Sequence, residues 1–284
     1  MKVLPRAALA VLLALVILAA SACDGGRETS PTTATTTTDE SPPPTTSERM
    51  TVAVYHLRDG KVAPVGRTVD ATSAVARASL VALLDGPTTE ERATGLSSAI
   101  PSGTTLLDLS LEDGLATVDL SGEFDDGGGS AAMLRRVAQV VATLTRFPTI
   151  ERVAFRLDGD GVETIGGEGV IVDPPLGRRE IEDQTPQVLV ESPLPGDTVT
   201  SPIRLRGTAN VFEATVSLEV RDAADKVLVE SFTTATSGTG TRGTFAVELA
   251  LPAADEEVTV LAFESSAKDG RPLHVFRVPV TLSP

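Results

Sequence analysis

Apolar and polar residues follow three different patterns along this 284-residue chain. Residues 7–20 form an unbroken apolar run, residues 24–50 show no apolar periodicity, and from residue 51 strand-like and helix-like spacings alternate. Apolar residues at every second position favour a strand, whereas apolar residues three or four positions apart favour a helix. The pattern therefore predicts a leader, a segment without regular structure and a folded remainder.

Residues 51–173 are predicted to form an α+β domain with a mixed sheet and two helices. Thr72 or Ser73 is expected to cap the first helix, Gly86 followed by proline to stop it, and Ser130 to cap the second. The predicted strands are 52–57, 62–69, 105–111, 115–120 and 151–157. This order indicates a sheet with helices packed on one face.

Residues 187–284 follow a linker at 174–186, and they show no amphipathic helix. Seven short apolar runs separated by Gly, Pro and Asp are typical of an all-β immunoglobulin-like sandwich. The predicted strands are 188–191, 203–209, 214–221, 227–233, 242–249, 257–263 and 273–282. Gly207 is expected at a close backbone approach, and Phe212 is expected in the core.

Cys23 is the only cysteine, and it lies three positions after the end of the apolar run. As a helix the run would cover about 21 Å, short of the roughly 30 Å hydrocarbon core of a bilayer, which favours a cleaved signal over a permanent span. With Ser21 and Ala22 before the cysteine, residues 1–22 resemble a bacterial lipoprotein signal peptide. That resemblance implies a lipid on Cys23 and a place on the extracytoplasmic face of the cell membrane. The alternative is an ordinary secretory signal and an unmodified thiol.

Residues 23–50 carry the modified cysteine and a Thr/Pro-rich stalk that is predicted to be disordered, because it has no apolar surface to bury. The whole chain has a formal net charge of −15, with no Trp and one Tyr. An acidic surface repels nucleic acid, so nucleic acid is not an expected partner. The scarcity of aromatic residues argues against a conventional sugar-stacking platform.

Four segments of the α+β region resemble the GerMN domain of spore-germination and sporulation proteins: LLDGPT (83–88), GLSSAIPSGT (95–104), VDLSGEF (118–124) and TLTRFP (143–148). The sandwich region resembles the immunoglobulin-like domain that follows it in bacterial lipoproteins, on SPLPG (192–196), SP (201–202), RGTANVFEA (206–214) and GTF (243–245). The resemblance implies a cell-envelope protein, linked in some relatives to sporulation, germination or envelope signalling. It brings no catalytic residue and no cofactor.

Side chains with reactive or metal-binding chemistry are few. The two histidines, His56 and His274, fall in different domains and are expected on strands, at the surface or in packing. Ser265 and Lys268 have the spacing of penicillin-interacting serine enzymes but precede a turn, and the companion motifs are absent. Two acidic loops offer weak Ca²⁺ candidates, because Ca²⁺ binds six to eight oxygen atoms. These candidates are Asp125, Asp126, Asp158 and Asp160.

The leading hypothesis is a non-catalytic envelope lipoprotein that binds the membrane through Cys23 and acts as an interaction or scaffold module. Its expected partners are envelope proteins or peptidoglycan, reached through sheet edges and loops. The alternative is a cell-wall hydrolase or wall-glycan-binding protein. Glycosidic cleavage needs a carboxylate pair, for which Asp119 and Glu123 are the candidates.

Overall fold

The computed structural model describes residues 48–167, 169–251 and 256–283. Cys23 and almost all of the predicted stalk lie outside the described residues. Within them, no helix is both long and apolar enough to cross a membrane. The fold class is confirmed: an α+β domain is followed by an all-β sandwich. The domain boundaries themselves stay predictions.

The described part of the α+β domain contains three α-helices and nine strands. The helices are α1 (Val75–Leu84), α2 (Thr89–Ala93) and α3 (Ser130–Leu144). The strands are β1 (Arg49–Arg58), β2 (Lys61–Asp70), β3 (Leu96–Ser97), β4 (Leu106–Glu112), β5 (Leu115–Leu120), β6 (Arg152–Leu157), β7 (Asp160–Gly161), β8 (Thr164–Ile165) and β9 (Val170–Ile171).

The strands of this domain form separate sheets, so the prediction of a single sheet is wrong. One sheet has the order β2-β1-β3, a second has the order β4-β5-β6-β7, and β8 pairs with β9. The second sheet is mixed, because β5 runs antiparallel to β4 and parallel to β6. The first hairpin stays apart because β1 pairs with β2 along one edge and with the short β3 on the other.

Both predicted helices exist, but their predicted caps are wrong. Ala74 occupies the N-cap position of α1 without a side-chain hydrogen bond, and Thr72 Oγ1 instead accepts a hydrogen bond from the Ala74 N–H. Gly129, in an extended conformation, precedes α3, so Ser130 is its first helical residue. The predicted stop of α1 is confirmed: Gly86 has a positive φ of 74°, which only glycine adopts without strain.

Where the structure describes the sandwich, it contains all seven predicted strands and an eighth, β11. Its strands are β10 (Val188–Ser192), β11 (Thr198–Thr200), β12 (Ile203–Ala209), β13 (Thr215–Asp222), β14 (Val227–Thr234), β15 (Gly243–Leu249), β16 (Glu256–Ser265) and β17 (Pro272–Ser283). One sheet has the order β10-β12-β15 and the other the order β11-β17-β16-β13-β14. β11 has only three residues, too few for a periodic signal.

Gly207 lies where its sequence context predicts, at a close approach between backbones. An added Cβ there would come within 2.2 Å of the Leu189 carbonyl oxygen. The prediction for Phe212 is wrong, because its side chain is 54% exposed. It begins a short 3₁₀ turn, Phe212–Ala214, that carries the chain across the end of the sandwich rather than into its core.

Candidate functional site

A groove of about 910 Å³ opens on the α+β domain between the end of α1, α2 and the segment that joins β3 to β4. Its volume falls in the range typical of ligand sites. Two of the four GerMN-like segments supply much of its wall: Leu84 to Pro87 come from one, and Leu96 to Ser98 with Ile100 come from the other. These two motifs, which are near neighbours in the chain, therefore border the same groove.

A partly buried ionic network connects the elements that border this groove. Arg67 on β2 donates to both carboxylate oxygens of Glu91, and it also donates to the Gly86 carbonyl oxygen at 3.2 Å. Glu91 in turn accepts the Thr88 N–H at 2.7 Å and completes a capping box at the start of α2. One guanidinium thus holds the two helix ends that border the groove. The hydrogen bonds of Arg67 and Thr88 keep the pKa of Glu91 below its usual value although burial opposes this shift.

His56 on β1 completes the network and is fully buried. Its Nε2 atom lies 3.0 Å from Arg67 Nη2. Because arginine only donates, Nε2 must accept, which requires the neutral ring. Burial, and then the neighbouring Arg67 charge, lower the pKa of His56 to about 4. The Nδ1 atom has no hydrogen-bond partner among the described residues.

His56 should make the chain acid-sensitive. Its pKa is about 4 in the folded state and 6.5 in the ordinary, solvated state. Between pH 6.5 and pH 4 the unfolded chain therefore binds a proton that the folded chain does not, and stability falls as the pH is lowered. We expect a loss of about 3 kcal/mol in the free energy of unfolding between pH 7 and pH 4. Urea titrations at several pH values would measure it.

The matched control for this prediction is the other histidine, His274, whose side chain is half exposed. His56→Gln should flatten the pH dependence between 6.5 and 4, whereas His274→Gln should keep it. The lowered pKa of Glu91 adds a further loss of stability at the acid end of this range and below it. Equal pH slopes in the wild type and in His56→Gln would contradict the assignment.

A second polar cluster joins the two domains. The Tyr55 hydroxyl on β1 donates to Glu191 Oε1 on β10 at 2.6 Å, and Arg178 Nη2 lies 3.0 Å from the same oxygen. The Arg178 guanidinium also stacks 5.2 Å from the centre of the Tyr55 ring. Burial, and then the Glu191 charge, raise the pKa of Tyr55 to about 12, so its hydroxyl stays protonated.

The GerMN-like segment TLTRFP supplies the first domain's side of this junction. Thr143 Oγ1 accepts the Tyr55 N–H at 3.0 Å, Thr145 Oγ1 accepts from Arg178 at 2.7 Å, and Arg146 donates to the Glu191 carbonyl oxygen at 2.8 Å. The segment thus binds the tyrosine, the connector and the sandwich. We name the cluster of Tyr55, Arg178, Glu191 and these three residues the domain junction.

The connector before β10 is held by a separate contact to the sandwich. Glu182 forms two hydrogen bonds with Arg242, at 2.7 and 3.1 Å, and accepts one from Asn210 at 2.9 Å. Lys61, at the first hairpin turn, donates to the Asp183 carbonyl oxygen. The predicted linker is therefore tied to both domains by side chains.

Three of the acidic residues predicted as calcium or catalytic candidates accept hydrogen bonds from backbone N–H groups of other loops. Asp119 accepts the Gly159 N–H at 3.0 Å, and Asp158 accepts the Gly122 N–H at 3.1 Å, so each carboxylate holds the other's loop. Asp125 accepts the Gly166 N–H. Glu123 is exposed, and hydrogen bonds from the Ser121 side chain and its own backbone lower its pKa.

The arrangement of these side chains does not supply a set of calcium ligands among the described residues. In the part of the chain that the structure describes, no three His, Cys, Asp or Glu side chains are grouped to hold a metal ion. Asp126 follows the 3₁₀ turn Gly122–Asp125, and Asp160 is exposed on β7.

The residues with serine–lysine spacing do not lie on a helix. Ser265 ends β16, and Lys268 lies in the turn closed by the hydrogen bond from the Gly270 N–H to the Ser266 carbonyl oxygen. The helical spacing that serine–lysine chemistry needs is therefore absent there.

Sequence reasoning missed the network and most of the domain junction. Arg67, Glu91, Arg178 and Glu191 carry no local signal of pairing. The Thr-x-x-Glu spacing of Thr88 and Glu91 is a capping-box signature that would have indicated α2. Nothing near Tyr55 indicates a partner 136 positions away.

Comparisons with known proteins match both domains. Residues 34–163 match a family model described as "Sporulation and spore germination", and residues 187–271 match one described as "Immunoglobulin-like domain of bacterial spore germination". The lipoprotein LpqB of Thermobifida fusca is 36% identical over 109 residues, which are 37% of this chain. The match spans only 16% of that relative's length.

Two solved structures of the sporulation protein GerM from Bacillus subtilis are also similar. Its first GerMN domain is 24% identical, with a TM-score of 0.41, over 46% of this chain and 98% of that one. Its tandem GerMN domains are 16% identical, with a TM-score of 0.42, over 72% of this chain and 62% of that one. The assignment rests on the two family models, which match the regions where the sequence motifs lie. The chain thus combines a GerMN domain of the sporulation and spore germination family with the immunoglobulin-like domain of bacterial spore germination.

Proposed function

We propose that this chain is an extracytoplasmic lipoprotein, anchored through a lipid on Cys23, whose two domains act together as a non-catalytic interaction module of the cell envelope. The relative named lipoprotein LpqB supports the anchor. The family descriptions name sporulation and germination rather than a reaction. The expected partners are envelope proteins or peptidoglycan.

The domain junction is the observation that carries the proposal. A buried tyrosine, a connector arginine and a sandwich glutamate share one hydrogen-bonded cluster. A partner that touches both domains therefore meets surfaces already held in register, so less entropy is lost on binding. The lipid would concentrate this module in a thin layer at the membrane.

The hydrogen bonding of Asp119 argues against the hydrolase alternative. Asp119, which it requires as a catalytic carboxylate, accepts a hydrogen bond from the backbone of Gly159. Holding a loop is a structural role. The interaction module is therefore the function that the described residues support best.

In-cell photo-crosslinking of the full chain tests the proposal. A crosslinking residue at Leu134 samples the first domain, and one at Phe232 samples the second, because both side chains are exposed. We expect both positions to capture the same envelope protein from the membrane fraction. Cys23→Ala should release the chain from membranes and abolish this capture, whereas Ser21→Ala, which keeps a small residue before the cysteine, should not.

Two results would count against the proposal. Complete retention of Cys23→Ala in the membrane fraction would refute the lipid anchor. Capture of wall glycan without any protein would favour the hydrolase or glycan-binding alternative instead.

A further inference from the structure

Strand β4 is the outermost strand of its sheet. Among the described residues it pairs with β5 alone. The two-residue turn at Asp113 and Gly114 makes Glu112 and Leu115 a hydrogen-bonded pair. Hydrogen-bonded pairs then alternate along the ladder, so Ser110 and Asp108 bond to β5. The N–H and C=O groups of Leu109 and Leu111 consequently point away from the sheet.

Apolar side chains accompany this open edge. Leu109 and Leu111 lie opposite Val118 and Ala116, whose side chains are buried, so the two leucines face the core side of the sheet. Leu111 is nevertheless 53% exposed, and Leu107, at the bulge in β4, is 46% exposed. At β4 the apolar face of this sheet is therefore only partly covered by the rest of the described chain. An exposed apolar edge of this kind is a template for another strand.

The groove described above begins where β4 begins. Thr105 and Leu106 line it together with Leu96 and Ser97 of β3. β3 is itself the last strand of the β2-β1-β3 sheet. An extended segment along β4 leads into a groove bordered by the edges of two sheets, which is a site for polypeptide backbone.

We propose that β4 binds an extended segment of a partner protein by strand addition, the segment being apolar at alternate positions and basic between them. This inference rests on the proposed function, because it names the surface through which the module binds. Backbone pairing would supply affinity, and contact with Leu109 and Leu111 would select the alternating pattern.

Charge favours a basic partner over a second copy of this chain. β4 carries Asp108 and Glu112 and no basic residue, and residues 51–185 contain 21 acidic against 12 basic side chains. Arg77 lies 3.8 Å from Asp108, but both side chains are exposed, so this pair leaves Asp108 accessible. Two copies would bring two acidic strands and two chains of net charge −15 together.

Two synthetic nine-residue peptides test the inference on the purified full chain. One alternates valine and lysine, and the other has the same composition with the valines and lysines in separate blocks. Amide hydrogen exchange would report on Leu109 and Leu111, and fluorescence anisotropy would give the dissociation constants. We expect only the alternating peptide to slow exchange at these two amides.

Leu111→Lys supplies the matched variant. It places a positive charge in the apolar row without changing the core, and it should weaken binding of the alternating peptide at least about tenfold, because the new ammonium group would lie against the peptide's valines, where it loses water and gains no partner. Ile171→Lys changes an exposed residue of the β8–β9 pair in the same way. It should leave the dissociation constant unchanged.

Several results would overturn the inference. Equal binding of both peptides would indicate attraction by charge alone. Slow exchange of Leu109 and Leu111 in the free monomer would mean that another part of the chain covers the edge. Protection that rises with protein concentration, together with a dimer in sedimentation, would identify a second copy as the occupant. If the peptide does not bind but in-cell capture is intact, the strand-addition inference is rejected and the proposed function stands. If the peptide binds but no envelope protein is captured in cells, the proposed interaction module is rejected.

Discussion

Replacing Glu191 by alanine should lower the free energy of unfolding by about 3 kcal/mol. The change leaves the Tyr55 hydroxyl and the Arg178 guanidinium without their shared acceptor inside the domain junction. Removing one partner of a buried ion pair costs roughly 3–5 kcal/mol. We expect the lower end because both charged side chains are about a quarter exposed and solvent screens their interaction.

Urea unfolding followed by circular dichroism measures this loss. Glu248→Ala is the matched control, because Glu248 pairs with Arg204 at 2.9 Å on an exposed surface, and such pairs contribute at most about 1 kcal/mol. A double-mutant cycle with Tyr55→Phe would isolate the tyrosine–glutamate coupling. Similar losses in Glu191→Ala and Glu248→Ala would show that the domain junction adds nothing beyond a surface pair.

The same variant bears on how the two domains work together. Leu189 and Glu191 of β10 face the first domain, whereas Val188 and Val190 face the sandwich core. Weakening this contact should allow the domains to unfold in separate steps. A partner that engages both domains should then bind Glu191→Ala less tightly than it binds Glu248→Ala.

Replacing Gly207 by alanine should destabilise the sandwich by at least about 3 kcal/mol. The new methyl group would lie 2.2 Å from the Leu189 carbonyl oxygen and 2.6 Å from the Phe245 ring. Gly207 sits in β12, between β10 and β15, so neither neighbour can move without breaking a ladder. Overpacking of a core usually costs about 1–3 kcal/mol, and a clash with backbone exceeds the usual range.

Thermal unfolding would show this effect as a fall in Tm of roughly 6–12 °C for a folded region of this size. Gly161→Ala is the matched control, because an added Cβ at Gly161 meets no atom within 4 Å and its φ is not positive. That substitution should leave Tm unchanged or raise it slightly. Equal Tm values for the two variants would contradict the close approach at Gly207.

Local sequence signals were sufficient for most elements of the fold. Asp59-Gly60 identifies the first hairpin, and Gly86 followed by proline identifies the end of α1, because turn residues act through their own backbone conformations. Short elements escaped prediction because they carry no such local signal. β3, with two residues, and β11, with three, are set by pairing with distant strands and leave no periodic pattern.

The candidate site was predictable only in part. The four GerMN-like segments marked the right regions, and two of them line the groove. Their partners did not stand out, because Arg67 and Arg178 resemble any surface arginine when they are seen in sequence. Asp119 drew attention as a catalytic candidate, whereas in the fold it holds a loop.

Periodicity and turn residues within single segments were enough to predict that an α+β domain precedes a sandwich, and to predict seven of the eight described sandwich strands and the two long helices. Three features are visible only in the assembled fold: His56 is buried beside Arg67, Glu191 completes the domain junction, and β4 keeps an open edge among the described residues. These features depend on which surfaces meet across long separations in the chain. Burial and pairing are properties of the assembled fold, and no local pattern encodes them.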